Sequence, residues 1–351
     1  MDRQTGLNVA VVGATGAVGQ QMIETLVTRN FPIEKLVLLS SSRSAGKIVT
    51  VNGKEYVVEE ARPESFEGID IALFSAGGSV SKELAPEAAK RGAIVIDNTS
   101  AFRMDQEVPL VVPEVNEEDV HTHKGIIANP NCSTIQMVVA LEPIRKKFGL
   151  KKIIVSTYQA VSGAGAAAIE ELKEETRAIL AGEEYEPKVL PVKSADRHYQ
   201  IAFNAIPQID MFDDSGFTLE ELKMINETKK IMHDQSLQVA ATCVRLPVET
   251  GHSESLYFEI ESDGVSADDI RELLKEAPGV VLQDDPVNQV YPMPADCVGK
   301  QDVFVGRVRR DLDNTKGFHM WVVSDNLLKG AAWNSVQIAE SLVRLGVVGQ
   351  K

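Results

Sequence analysis

Cysteine is scarce in this chain of 351 residues. Cys132, Cys243 and Cys297 are odd in number, widely spaced and without a Cys-x-x-Cys pair, which excludes a disulfide framework and a cysteine-rich zinc site. No metal centre is expected, and a reducing compartment, the cytoplasm, fits best. Basic charge is also in short supply: 36 Lys and Arg face 51 Asp and Glu, a net charge of -15. A broad phosphate-binding footprint is thereby excluded, so neither nucleic acid nor an anionic membrane surface is expected as a partner. Long apolar runs are missing too, as are a basic leader, internal repeats and low-complexity linkers, and the expectation is a soluble, unprocessed protein.

What is present is ordinary globular material, 44% apolar and 25% charged, in a length that exceeds one hydrophobic core and predicts two domains. The first third alternates short Val/Ile/Leu runs with amphipathic stretches, the pattern of βαβ units that feed a parallel sheet covered on both faces. Residues 9–12, 36–39, 69–74, 94–96 and 126–128 read as strands, and 18–29 and 81–91 as helices, with Gly92 at a capping position. The fold class is α/β: an N-terminal Rossmann-type doubly wound parallel sheet followed by a second, α+β domain. In that second domain, residues 153–158, 238–246 and 255–260 read as strands and 166–180 and 219–232 as helices. The amphipathic stretch 327–345, after Ser324-Asp325-Asn326, is predicted to pack back on the first domain. The expected domains are 1–131, completed by a C-terminal helix in 327–351, and 132–326.

Gly13-Ala14-Thr15-Gly16-Ala17-Val18-Gly19 links the first apolar strand to an amphipathic helix, the context a dinucleotide fingerprint needs. Glycines let the loop lie against a pyrophosphate while the helix start supplies N–H donors, and Gly13, Thr15, Gly16, Ala17 and Val18 are the expected cofactor contacts. The spacing is Gly-x-x-Gly-x-x-Gly, so it is the strand-loop-helix position that carries the reading. After the second strand, Ser40-Ser41-Ser42-Arg43-Ser44-Ala45-Gly46-Lys47 holds no acid for a ribose diol. Hydroxyls such as Ser44, together with Arg43 and Lys47, suit a 2′-phosphate and favour NADP over NAD; the alternative is a solvated basic loop.

Asn129-Pro130-Asn131-Cys132-Ser133-Thr134 ends a strand and opens a helix. N–H groups at a helix start lower a thiol's pKa and can hold an oxyanion, which makes Cys132 a candidate nucleophile; the competing reading is a buried, inert cysteine.

These two motifs, with Gln159-Ala160-Val161-Ser162-Gly163-Ala164-Gly165, make the chain resemble the bacterial aspartate-β-semialdehyde dehydrogenases nearly end to end. The resemblance implies a phosphorylating aldehyde dehydrogenase. Such enzymes interconvert aspartyl phosphate plus NADPH with aspartate semialdehyde, NADP and phosphate, on the route to lysine through diaminopimelate and to threonine and methionine. It implies that residues 132–326 form the catalytic, substrate-binding and dimerisation domain of a homodimer or homotetramer. Cys132 would be the nucleophile that forms an acyl thioester, and His252, in Glu249-Thr250-Gly251-His252-Ser253, the acid/base residue. Arg245 would bind the α-carboxylate, Gln159 would orient substrate by the thiol, and Arg103 and Lys223 would bind phosphate, with Glu220 organising the substrate. Ser162, Gly163 and Asn326 would lie at the nicotinamide end of NADP. Bland readings exist for each: Lys223 as a solvated helix lysine, Arg245 as a strand-edge arginine. His121, His123, His198, His233 and His319 are read as structural or surface residues.

Three alternatives compete. An N-acetyl-γ-glutamyl-phosphate reductase would share the acyl-phosphate logic, but its cysteine neighbourhood differs. A glyceraldehyde-phosphate-type dehydrogenase gives Arg245 no task. A catalytically silent NADP-sensing Rossmann protein would need neither Cys132 nor His252.

Overall fold

The computed structural model describes residues 6–349; residues 1–5 and 350–351, included in the expected domain bounds, lie outside the described residues. The chain divides into two compact units, 6–131 with 331–349, and 132–330.

In the first unit, β1 (Leu7–Val12), β2 (Ile33–Ser40), β5 (Glu59–Glu60), β6 (Ile71–Phe74), β7 (Ile94–Asp97) and β8 (Ile126–Ala128) form a six-stranded sheet in the order β5-β2-β1-β6-β7-β8. All its pairings are parallel. The side chains of β1 alternate between two cores: Val9 and Val11 join Met22 and Leu26 of α1 (Ala17–Thr28), and Ala10 and Val12 join Leu84 and Ala88 of α2 (Gly78–Lys90). A strand buried on both faces has no polar side to show, and that is why it reads as an unbroken apolar run. The order reverses between β1 and β6, the switch point at which open α/β sheets bind ligands beyond their strand ends.

Between β2 and β5 lies a hairpin, β3 (Ile48–Val51) and β4 (Lys54–Val57), that was not expected from the sequence. Its turn, Asn52-Gly53, has φ values of 49° and 76°, the left-handed pair a two-residue hairpin requires. The one-turn helix α3 (Pro113–Asn116) precedes β8.

The second unit opens with α4 (Cys132–Phe148). Its six-stranded sheet is mixed, in the order β10-β9-β11-β14-β13-β12, from β9 (Lys152–Gln159), β10 (Gln238–Arg245), β11 (His252–Glu259), β12 (Val280–Leu282), β13 (Val303–Arg310) and β14 (Gly317–Ser324). α4 packs on α6 (Leu219–Ile231), α7 (Ala267–Lys275), β13 and β14. α5 (Ala166–Ala181) follows β9, and α8 (Pro294–Cys297) is a single turn. The other sheet face, with Ser156 and Tyr158 of β9 and Trp321 of β14, is left partly open, and Ile154 is 41% exposed. β12, β13, β14 and α7 were not anticipated. The parallel sheet wound by helices and the second mixed-sheet domain are the fold class expected.

Between α5 and α6, residues 183–217 carry no regular element, yet two buried carboxylates of α5 fasten them. Glu171 accepts from the amides of Lys188, Val189 and Leu190, and Glu175 from those of Ile201 and Ala202. The strap then reaches β10, where Ile206 and Arg245 exchange both backbone hydrogen bonds, at 3.0 and 2.9 Å.

The stretch 327–345 is not one helix. It forms a π turn, Leu328–Ala332, and then α9 (Trp333–Arg344). Asp325 caps the start of the stretch by accepting from the amides of Leu327 and Leu328. Val336, Ile338 and Leu342 of α9 share the first unit's core with Met22 and Leu26. No helix among the described residues is long and apolar enough to cross a membrane.

Candidate active site

In the first unit the nucleotide loop leaves the C-terminal end of β1 at the switch point. Gly13 has φ +86°, and a Cβ there would lie 2.7 Å from the Ser75 carbonyl oxygen. A Cβ on Gly19 would lie 2.1 Å from the Gly13 carbonyl oxygen. Neither position admits a side chain, so the loop folds tightly over the start of α1. Gly16 is that helix's N-cap and supplies no side-chain cap, while Ala17 and Val18 form its first turn. Thr15 and Ser40 share a hydroxyl hydrogen bond of 3.0 Å at the end of β2. Arg43 and Ser44 lie on the turn beyond, with Arg43 exposed. A helix start without a side-chain cap, under a glycine-rich loop, fits a dinucleotide pyrophosphate.

The residues just after β2 are free of acid, but the fold brings two acids in from elsewhere. β5 pairs Glu59 with Leu39 and Glu60 with Ser40, and Glu60 accepts from Arg62 Nε at 3.0 Å. Local reading of the chain missed these because they arrive 19 and 20 residues downstream of Ser40. Arg103 is also in this unit, buried, donating to the carbonyls of Asn98 and Asn129 at 2.9 Å each.

The second unit gathers nine of the expected residues, Cys132, Gln159, Ser162, Gly163, Glu220, Lys223, Arg245, His252 and Asn326. Cys132 is the first residue of α4 and is half-buried. Gly330 backs it: a Cβ at 330 would lie 2.7 Å from the Cys132 Cβ. One turn along α4, Gln136 donates to the His252 carbonyl at 3.4 Å and accepts from the Ser324 hydroxyl at 2.8 Å, which joins α4 to the ends of β11 and β14.

His252 is not in a surface turn. It is the first residue of β11 and wholly buried. Its Nδ1 accepts from the Ala160 amide at 3.1 Å, and its Nε2, also buried, has no hydrogen-bond partner among the described residues. Burial, and next the neighbouring Arg245 guanidinium, push its pKa down to about 3, with Glu220 acting weakly the other way. Arg245 closes β10, 3% exposed, and its Nη1 donates to the Ala160 carbonyl at 2.7 Å. Burial lowers its pKa, opposed by the charges of Glu220 and Cys132.

Gly163 is where these groups meet. A Cβ there would stand 3.0 Å from Arg245 Nη1 and 3.3 Å from His252 Nε2. The loop carrying it is held to the β10–β11 connection by the Val161 and Ser162 amides, which donate to the carbonyls of Val248 and Glu249. Asn326 completes the connection: its carboxamide exchanges hydrogen bonds with the Ser162 hydroxyl and accepts from the Gly251 amide at 2.9 Å.

Glu220 and Lys223 form the i,i+3 pair on α6, 3.2 Å apart. Glu220 also accepts from Gln159 Nε2 at 3.1 Å, tying α6 to the end of β9. Lys223 is no solvated lysine; its side chain is 25% exposed and makes a second ion pair, 3.0 Å, with Asp210. Sequence reasoning missed Asp210, which sits in the strap with φ 69° and gives no local signal of its partner. It also missed Glu254, wholly buried two residues beyond His252 on the same face of β11. Burial pushes that carboxyl well above the usual range, against an opposing effect of the Gln136 side chain.

A cysteine opening a helix, a buried imidazole, a buried guanidinium and a Gln-Glu-Lys chain surround one spot in the second unit, and the first unit carries a dinucleotide loop. Together they define a two-domain dehydrogenase of the semialdehyde class. Its two parts match the "Semialdehyde dehydrogenase, NAD binding domain" family over residues 8–123 and the "Semialdehyde dehydrogenase, dimerisation domain" family over residues 141–329. The chain is 73% identical over 343 residues to the aspartate-semialdehyde dehydrogenase of Bacillus subtilis (strain 168), covering 98% of this chain and 99% of that protein. It is 58% identical over 346 residues to the enzyme of that name from Aquifex aeolicus (strain VF5), covering 98% and 100%. Among solved structures, aspartate semialdehyde dehydrogenase II of Vibrio cholerae, complexed with ASA, superposes with a TM-score of 0.91 at 48% identity, covering 97% and 98% of the two chains. The chain belongs to the aspartate-semialdehyde dehydrogenase family. It is an oxidoreductase that acts on an aldehyde with a nicotinamide cofactor.

Proposed function

We propose that the protein carries out the reductive dephosphorylation of L-aspartyl 4-phosphate to L-aspartate 4-semialdehyde through a thioester on Cys132, with NADP as coenzyme, in the branch that leads to lysine through diaminopimelate and to threonine and methionine. The observation that carries this reading is the convergence of His252 and Arg245 on Gly163, within the unit that α4 opens with Cys132.

In this reading the Cys132 sulfur attacks the acyl carbon and phosphate leaves, with Arg103, Lys223 and the associated Glu220 as the phosphate-site residues. Arg245 has one guanidinium nitrogen committed to the Ala160 carbonyl, and its buried Nε has no hydrogen-bond partner among the described residues, which suits it to the substrate α-carboxylate. Gln159, held by Glu220, orients the acyl group beside the sulfur, and His252 serves the carbonyl oxygen as the acid/base partner. When bound, the nicotinamide supplies hydride to the acyl carbon. Gly13, Thr15, Gly16, Ala17 and Val18 would hold its pyrophosphate, Arg43 and Ser44 a 2′-phosphate, and Ser162, Gly163 and Asn326 the nicotinamide end. The partly open sheet face around Ile154, Tyr158 and Trp321, in the region matching a dimerisation domain, suits a homodimer, and a tetramer would be a dimer of these. A cytoplasmic location follows from the acyl phosphate and the free thiols.

A phosphate-dependent assay with aspartate semialdehyde and each coenzyme tests reaction, substrate and coenzyme together. Reduction of NADP well ahead of NAD is expected. A preference for the N-acetylglutamyl semialdehyde would overturn the substrate, and a preference for NAD the coenzyme.

A further inference from the structure

A dehydrogenase tells NADP from NAD at the adenosine ribose, and the groups beside the end of the second strand decide which it takes. In this chain that end consists of more than the turn that follows β2. The Gly46 amide donates to the Val58 carbonyl and the Val58 amide to the Lys47 carbonyl, each at 2.8 Å, and the Ala61 amide donates to the Ser40 carbonyl, also at 2.8 Å. Residues 40–47 and 58–62 therefore form one hydrogen-bonded rim along the carboxyl ends of β2 and β5, the edge at which an open parallel sheet takes its ligand. Ser40 joins this rim to the nucleotide loop through the Thr15 hydroxyl.

On the rim, Glu60 and Arg62 hold each other. Nε and Nη2 of Arg62 both donate to Glu60 Oε2, so Arg62 Nη1 and Glu60 Oε1 stand outside the two bonds. The Arg62 side chain is 66% exposed, and a pair so open to water holds neither partner firmly. Glu59 precedes Glu60 on β5 and points to the opposite face of the strand. The two members of the pair favour opposite coenzymes. A bare carboxylate beside the end of β2 accepts from the ribose hydroxyls and repels a 2′-phosphate, whose charge approaches two negative units. A guanidinium offers that phosphate two parallel hydrogen bonds.

We infer that Arg62 determines the choice of coenzyme: it cancels the acid that β5 delivers to the end of β2 and presents its guanidinium to the 2′-phosphate, so that the chain takes NADP while carrying the carboxylate of an NAD site. The inference rests on the coenzyme reading above, in which Arg43 and Ser44 hold the same phosphate, and deepens it. Arg62 exchanges the single charge of Glu60 for the higher charge of the phosphate, and the exposure of the pair makes that exchange cheap. Arg43 comes from the turn after β2 and Arg62 from the segment after β5, so the phosphate is met from both halves of the rim.

Calorimetry of the intact protein with adenosine 2′,5′-bisphosphate and with AMP reads this preference without turnover. The parent is expected to favour the bisphosphate. Arg62→Ala should lose about tenfold or more of the bisphosphate affinity while AMP affinity stays within about twofold. Glu60→Gln removes the competing carboxylate and should raise bisphosphate affinity; combined with Arg62→Ala it should restore part of the loss, because the acid left bare is gone. The ratio of kcat/KM for NADP to that for NAD should follow the same order among the variants. A bisphosphate affinity that Arg62→Ala changes by less than about threefold, or a loss that AMP shares equally, overturns the role. So does a Glu60→Gln variant that binds the bisphosphate more weakly than the parent. A parent that binds the two ligands alike strikes the NADP reading and the role with it, whereas a preference erased in Arg43→Ala and intact in Arg62→Ala overturns the role alone.

Discussion

The glycine loop after β1 and the buried polar cluster of the second unit, proposed above as coenzyme and substrate sites, are built by opposite means. At the end of β1 the solution is subtraction: Gly13 and Gly19 stand where a single Cβ would meet a backbone oxygen at 2.7 and 2.1 Å. In the second unit it is addition: buried His252, Arg245, Gln159 and Glu220 are each held by a hydrogen bond to main chain or to one another. Gly13 and Gly19 have no side chain to lose and no room to gain one. The second has polar groups whose burial is costly unless they stay paired, so it is sensitive to chemistry more than to volume.

The contrast is broken most sharply at Cys132. Cys132→Ala is expected to abolish phosphate-dependent NADP reduction, a loss of about 10³-fold or more, while coenzyme affinity measured by calorimetry stays within about twofold, since the thiol and the glycine loop are separate parts. Matching loss of affinity would mean that they are not. The converse is Gly19→Ala, whose added methyl meets main chain; coenzyme affinity should fall by about a hundredfold or more while iodoacetamide labelling of Cys132 persists. Third, Arg245→Lys keeps the charge and removes the planar fork, so KM for the semialdehyde should rise about tenfold or more, with Kd for the coenzyme unchanged. Unaltered kinetics would remove Arg245 from the carboxylate role.

The smallest effect concerns Glu254, whose carboxyl is held well above the usual range by burial. With its folded pKa raised over the unfolded one, its stabilising contribution is complete below the unfolded carboxyl range and is lost as pH climbs toward the folded value. Glu254→Gln removes that loss. The variant's Tm should match the parent's at about pH 4 and exceed it by about 2–4 °C at about pH 8. An equal difference at both pH values would mean that the carboxyl is ionised throughout.

The same contrast explains what could be read from the chain. A loop built by subtraction announces itself, because glycines after the buried run of β1 have few other uses, and the doubly wound sheet around it follows from apolar periodicity. Sites built by addition are written in residues that also populate surfaces. β11 begins His252-Ser253-Glu254-Ser255, four polar residues that hide a strand start, so periodicity placed the strand three residues late, at Ser255. Asp210 reaches Lys223 from an irregular strap whose path is set by Glu171 and Glu175, carboxylates that look like any acid on an exposed helix until their amide partners are known. β13 and β14, whose hairpin carries a bulge between Gly306 and Arg309, have a broken alternation for the same kind of reason. Glu59 and Glu60 show that even a correct local reading of the β2 end is incomplete when another strand lies beside it.

Ala160 brings no functional side chain of its own, yet it offers its hydrogen to the imidazole and its oxygen to the guanidinium. The orientation of two buried side chains therefore depends on groups that every non-proline amino acid possesses. Mutation can crowd that position but cannot, short of proline, delete the hydrogen that dictates the ring's polarity. An amide-to-ester exchange at residue 160, made by semisynthesis, would erase it while leaving every side chain of the neighbourhood untouched, and would let the imidazole choose its own tautomer.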